Sequence, residues 1–203
     1  MIEDNLVWDL EDGFSIRTVA RGEFDAFLKE HSPRFFDNTS QVFRLWTALA
    51  DDERNKVSEL EKRMGDPLQL RLGVYKGDEF IGWSYSRQES PMTLYMQTSA
   101  IFPEYRRAGL YSKLVQKTVE VASDLGFQTI YGRHLVTNNS VIIANLKLGF
   151  RITSMELTDT FGKLVHLSYF PNPKRKKMLD YRSGWIHADD EIHSLLNSNR
   201  KNS

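Results

Sequence analysis

The sequence predicts an α/β domain built on a mixed, mostly antiparallel sheet flanked by helices. Two observations carry this reading. The hydrophobic period switches repeatedly between about 3.6 and 2 along the chain, so helices and strands interleave. The resulting order is β-α-α-β-β-β-α-β-α-β-β, and in its central β-α-β-α-β stretch the first two strands must run parallel, because a helical crossover returns the chain in the same direction. A chain of 203 residues with 40% hydrophobic side chains, among them 12 Phe, 8 Tyr and 4 Trp, can fill one sizeable core.

Gly13 to Val19 reads as the first strand and about Glu23 to His31 as the first helix. Ser40 then opens a longer helical pattern in which Val42, Leu45, Trp46, Leu49, Val57, Leu60 and Met64 share one face, expected to be buried. From Leu70 the period falls to two. Leu70, Leu72 and Val74 alternate with Arg71 and Gly73, and Lys76-Gly77-Asp78 turns the chain into a second hairpin strand from Phe80 to Arg87. Thr93 to Ile101 alternates again, and Pro103 ends it by lacking a donor. Gly109 to Leu125 carries Leu110, Leu114, Val121 and Leu125 on a helical stripe, with Gly126 placed as its cap. A strand from Phe127 to His134, a helix from about Asn139 to Leu148, and strands near Phe150–Leu157 and Lys163–Phe170 complete the body. Pro171-Asn-Pro173 marks a junction, so residues 1–170 are read as the domain and 171–203 as a tail. In that tail Trp185, Ile186, Ile192, Leu195 and Leu196 suggest a short amphipathic helix docking on the body or on a second subunit of a homodimer, and Asn199 to Ser203 is expected to fray.

Charge narrows the partners. Lys and Arg number 27 and so do Asp and Glu, a balance that argues against nucleic acid or an anionic membrane, which favour a basic excess. Lys174-Arg-Lys-Lys177 is the one basic cluster and reads as solvated. No segment has the ~18 uncharged apolar residues of a membrane span, and the first residues carry acids where a secretory signal carries lysines. A cytoplasmic protein is expected. With no Cys in the chain, disulfides, a thiolate nucleophile and Cys-ligated metal are excluded, and no His/Asp/Glu spacing suits a metal.

Ile101-Phe-Pro-Glu-Tyr-Arg-Arg-Ala-Gly-Leu-Tyr111 joins a strand to a helix through two arginines and a glycine. Amides at a helix N-terminus lack intrahelical partners, the macrodipole adds positive potential, and Gly109 lets the backbone approach an anion closely. The physics gives a phosphate-bearing ligand.

The spacing in this loop resembles the GNAT superfamily of acyl-CoA-dependent N-acetyltransferases. The family's R/Q-x-x-G-x-G/A pattern is matched by Arg106-Arg107-Ala108-Gly109-Leu110-Tyr111, preceded by Ile101-Phe102-Pro103 and followed by Ser112-Lys113-Leu114. Further on, Asn138 through Lys147-Leu148-Gly149-Phe150 resembles the second family motif. The resemblance is firm from about Leu70 to Phe170. It implies acetyl-CoA with its pyrophosphate on the amides from Arg107 through Ala108, Gly109, Leu110 and Tyr111 to Ser112, and Arg106 shaping the loop. It also implies a splay between the parallel strands, the pantetheine arm pairing with backbone around Ala100 and Ile101, and a bulge there that aims an amide at the thioester carbonyl. Asn138 and Asn145 would line the other wall.

Two residues depart from that pattern. Tyr111 replaces a small residue, so its side chain must turn away from the diphosphate or pack over the ligand. Asn145 stands where many members carry a tyrosine thought to protonate the thiolate, and an amide cannot pass on a proton. A base is also required to free the attacking amine. His134, at the carboxyl end of its strand, is the first candidate, since imidazole titrates near pH ~6.5; Glu89 is the second, and Glu104 is read as structural. Phe35, Phe36 and Trp46 are read as core or as walls of an acceptor pocket. The resemblance thus implies transfer of an acetyl group to a primary amine, on a small molecule or a peptide, by direct attack in a ternary complex. The alternative is an acyl-CoA-binding or partner-binding module of the same fold with little or no catalysis.

Overall fold

The computed structural model describes residues 6–32, 35, 43 and 45–197, which fall into two compact units divided between Tyr169 and Phe170. Phe36, Ser40, Val42 and the expected frayed end lie outside the described residues.

The first unit is built on an eight-stranded sheet of order β1-β2-β3-β4-β5-β6-β8-β7. Its strands are β1 (Val7–Asp9), β2 (Phe14–Thr18), β3 (Gln69–Lys76), β4 (Glu79–Ser90), β5 (Thr93–Ile101), β6 (Thr129–Leu135), β7 (Arg151–Thr158) and β8 (Gly162–Tyr169). Every neighbouring pair is antiparallel except β5 and β6, which are parallel. That is the arrangement expected from the helical crossover. The short β1 was not anticipated: Leu-Val-Trp-Asp is too brief to show a period.

Among the described residues this unit holds α1 (Arg21–His31), α2 (Leu45–Ala48), α3 (Asp51–Arg63), α4 (Leu110–Asp124) and α5 (Asn139–Lys147). Along β4 the side chains sort to opposite faces. Ser84 meets Thr118 of α4 at 3.3 Å on one face, while Trp83 packs edge-on against Phe35 at 5.0 Å on the other. The α4 face carries the larger core, with Leu70, Leu72, Leu94, Leu114, Ile130, Phe150 and Leu167 almost fully buried. On the α1 face an aromatic cluster of Phe24, Tyr75, Phe80, Trp83 and Phe102 accepts Phe27 and Phe35 from above. Phe35 is half-buried against this cluster.

The long second helix is corrected in two ways. Ala50 takes an extended conformation, with ψ 162°, and its N–H donates to Glu53 at 2.8 Å, so a new helix begins at Asp51. The shared apolar face is also not buried: Leu45, Trp46, Val57, Leu60 and Met64 are all exposed. Periodicity identifies a face and says nothing of what covers it.

The second unit holds α6 (Pro173–Arg182) and α7 (Asp190–Asn197). The basic cluster, read as a solvated run, opens a helix. Asn172 accepts from the Lys174 N–H at 2.9 Å and Pro173 takes the first helical position, a start signal present in the sequence. Lys177 pairs with Asp189 at 2.7 Å and with Glu191. Ile192, Leu195 and Leu196 lie on α7 as expected, but Trp185 and Ile186 fall between the two helices.

Candidate active site

The loop after β5 is shaped by its own backbone. Phe102 donates to Ile81 at 2.9 Å, Pro103–Tyr105 forms one 3-10 turn, and Arg106 Nε donates to the Ile101 carbonyl at 3.0 Å. The Arg106 guanidinium lies 5.8 Å over the Phe35 ring, tying the loop to the aromatic cluster. Arg107 and Gly109 both have left-handed backbone, at φ 69° and 73°. For arginine this costs on the order of 1 kcal/mol, and it alternates the direction of successive amides. Gly109 is the N-cap of α4, no side chain caps the helix, and Lys113 makes the first intrahelical bond, to Gly109, at 3.1 Å. The amides of Leu110, Tyr111 and Ser112 thus precede the helical ladder and face outward. Nothing lies within 4 Å of where a Cβ on Gly109 would stand, so the cradle has room for an anion.

Beside it the sheet opens. β5 and β6 pair only from Thr93↔Thr129 to Met96↔Gly132. Beyond that point β5 continues along β4 to Gly82↔Ile101, and β6 continues along β8 to Leu135↔Leu164. The two parallel strands therefore part into a wedge below the cradle. The cause is a bulge: between Met96↔Ser86 and Thr98↔Tyr85, Gln97 is an extra residue that bends β5 away. It falls earlier than the expected position around Ala100 and Ile101. Because Phe102 is bonded to Ile81, strand alternation turns the Ala100 backbone toward Trp83, and turns the amides of Ser99 and Ile101 toward the wedge. Ser99 escaped sequence reasoning because register, which the sequence does not show, decides it.

His134 stands on the end of β6 that has parted from β5 but still pairs with β8, and folds back over Gly132, where a Cβ would come within 2.9 Å of its Nε2. That nitrogen meets Asn145 Nδ2, on α5, at 3.1 Å. Asn145 is 2% exposed and also hydrogen-bonds Tyr111 of α4. Tyr111 therefore turns inward, away from the outward-facing amides of its own helix, and burial pushes its phenol up to about 12. Burial, with a smaller contribution from His166, brings His134 down to about 4. A neutral imidazole with its Nε2 already bonded is a poor acceptor for an ammonium proton. The structure thus joins His134 and Asn145, but in a positioning contact.

Glu89 lies at the opposite end of β5 from the wedge, near the Ser90↔Thr93 turn. It accepts from the Tyr131 hydroxyl and pairs with Arg133 at 3.4 Å. Arg133 in turn stacks 4.5 Å over Tyr95 and approaches Glu156 at 3.7 Å. This commits Glu89 to a polar ladder on the sheet. His166 belongs to the same ladder through Glu156, at 2.6 Å. Asn138 is the N-cap of α5 and accepts from Ser140 Oγ at 3.3 Å, exposed above the wedge's β6 side. Among the described residues no group of three His, Asp or Glu converges as a metal site.

The uncapped N-terminus of α4 beside a parting parallel strand pair is the arrangement that the resemblance implied. The profile of the Acetyltransferase (GNAT) family matches residues 24–150, and the chain belongs to that family. Comparison with curated proteins by sequence gives no match. Solved structures share the fold at low identity. An acetyltransferase from Salmonella typhimurium, yncA, seen with its cofactor acetyl-CoA, is 15% identical with a TM-score of 0.57, over 78% of this chain and 94% of that one. The ribosomal-protein-S5-alanine acetyltransferase of Vibrio fischeri is 13% identical with a TM-score of 0.58, over 83% and 98%. NAA60 of Arabidopsis thaliana, seen with a bisubstrate analogue, is 15% identical with a TM-score of 0.54, over 77% and 97%.

Among the described residues no helix is long and apolar enough to cross a membrane.

Proposed function

We infer that this protein transfers an acetyl group from acetyl-CoA to the primary amine of a small molecule or peptide, by direct attack in a ternary complex. The observation that carries the reading is the open cradle at Gly109 standing at the head of the β5–β6 wedge. The outward amides of Leu110, Tyr111 and Ser112, with Arg107 beside them, suit a diphosphate. Ser99 and Ile101 offer backbone to an extended arm, as a further strand would receive it, and Asn138 borders the far side. Acetyl-CoA supplies an acyl group activated as a thioester, whose thiol, with a pKa near ~8.5, is a tolerable leaving group.

A wedge-facing amide of Ser99 or Ile101 can donate to the carbonyl oxygen as charge builds there. With His134 Nε2 already bonded to Asn145 and Glu89 bound into its ladder, the acceptor's proton passes to water. The related fold of an enzyme named for alanine of a ribosomal protein supports an acceptor amine on a peptide. The catalytic body corresponds to residues 1–170, leaving 171–203 as a separate tail.

The test is release of CoA from acetyl-CoA over a panel of peptides and small amines. Release above the hydrolysis background with an acceptor is the expected result. Tight acetyl-CoA binding with no acceptor-dependent release from any of them would favour a binding module.

A further inference from the structure

One edge of the sheet is long and uncovered. β7 ends the sheet with eight residues and, among the described residues, pairs only with β8; the opposite edge strand, β1, has three residues. Register with β8 sorts the β7 side chains. Ile152, Met155 and Leu157 stand opposite Leu167, Val165 and Lys163 on the α4 face, and they are 55%, 70% and 78% exposed. On the same face, α5 leaves Ile143 and Leu146 exposed as well. An outer strand that carries a row of exposed apolar side chains is a template for another strand.

The bulge in β7 selects the strand that fits. Facing residues of an antiparallel pair project from the same side of the sheet. Two copies of a regular strand related by a dyad meet this condition only when the dyad passes through a residue position, because neighbours in the chain alternate sides. In β7, Thr153 is an extra residue between Ile152↔Leu167 and Ser154↔His166. Its hydroxyl meets Ser168 Oγ at 2.8 Å, on the side of the sheet where Ser154 faces His166, so two consecutive residues share that side. A dyad between Thr153 and Ser154 therefore sets Ile152 against Met155 of a second copy, and Arg151 against its Glu156. Each pair lies on one side of the sheet and occurs twice. A dyad through Glu156 would instead set two carboxylates face to face.

We propose that the β7 edge is a homodimer interface. A second copy of this chain adds its own β7 antiparallel about a dyad between Thr153 and Ser154, covers Ile152, Met155 and Leu157, and pairs Arg151 with Glu156 across the dyad. Glu156 meets His166 at 2.6 Å, which holds its carboxylate on the side of the sheet where the second copy's arginine arrives. β8 and β6 separate this edge from the wedge, so the proposal stands independently of the transfer reading.

Sedimentation equilibrium of the full chain tests this. Wild type is expected to be a dimer at micromolar concentration. Met155→Lys and, independently, Leu157→Lys alter exposed side chains outside the core, and each should give a monomer with unchanged circular dichroism. Charge reversal then tests the register. Arg151→Glu and Glu156→Arg each set like charges opposite one another twice, and each should weaken self-association about tenfold or more. An equimolar mixture of those two variants restores opposite charges at both pairs, and should associate about tenfold more tightly than either alone. A monomeric wild type, a dimer that survives both lysine substitutions, or a mixture no tighter than its components would overturn the proposal.

Discussion

Replacing Gly109 with glutamate abolishes acetyl-CoA binding while leaving the fold intact. The two halves of that expectation have separate causes. No protein atom lies within 4 Å of the added Cβ, so the side chain meets open space and unfolding is not expected from crowding. The backbone at φ 73° disfavours any residue with a Cβ by about 1 kcal/mol, which alone weakens the cradle several-fold. Glutamate adds a negative charge where the amides and the helix dipole are arranged to receive one, and repels the diphosphate directly. An affinity loss of about a hundredfold or more is expected from the sum, against several-fold for Gly109→Ala. Calorimetric titration beside thermal unfolding checks both halves. Normal affinity in the glutamate variant would mean that the phosphate sits elsewhere.

The second large effect is on stability against pH. His134 has a folded value of about 4 against an ordinary 6.5, chiefly because burial disfavours its charged form, with His166 adding to the penalty. Above pH 6.5 the imidazole is neutral in both states and contributes no slope. As pH falls below that, the unfolded chain takes up a proton that the folded chain refuses, so stability drops until pH reaches about 4 and then levels. The full loss is about 3 kcal/mol. Urea unfolding at a series of pH values should show it in wild type, and His134→Gln should flatten the profile over that window. Parallel profiles would return the imidazole to an exposed, unperturbed setting. The same burial predicts that turnover shows no inflection near pH 6.5 from this residue.

Much of this was legible in the sequence. Alternation in Leu70–Val74 and Leu94–Ala100, the proline after Ile101 and the glycines at 109 and 126 mark strands, loop and helix through local chemistry. The parallel pair followed from the crossover, and the cradle from Arg106 to Ser112 followed from helix-end physics and the family spacing. What was hidden depends on register and on partners distant in the chain. A bulge at Gln97 decides that Ser99 rather than Ala100 faces the wedge, and no local pattern announces it. His134 looked like an available base because strand position is visible and the fold-back onto Asn145 is not. Glu89 looked like a second candidate base until pairing put it at the far end of β5. Tyr111 was seen as a departure, and only its contact with Asn145 gives that departure a direction. In the face running from Leu45 to Met64, the apolar spacing was real and the inferred cover was not.

The most direct measurement is a crystal structure with CoA. The diphosphate is expected within hydrogen-bond distance of the amides of Leu110 to Ser112, with the pantetheine arm running between β5 and β6 against Ser99 and Ile101. CoA bound away from the Gly109 cradle, or an arm that bypasses the wedge, would contradict the account.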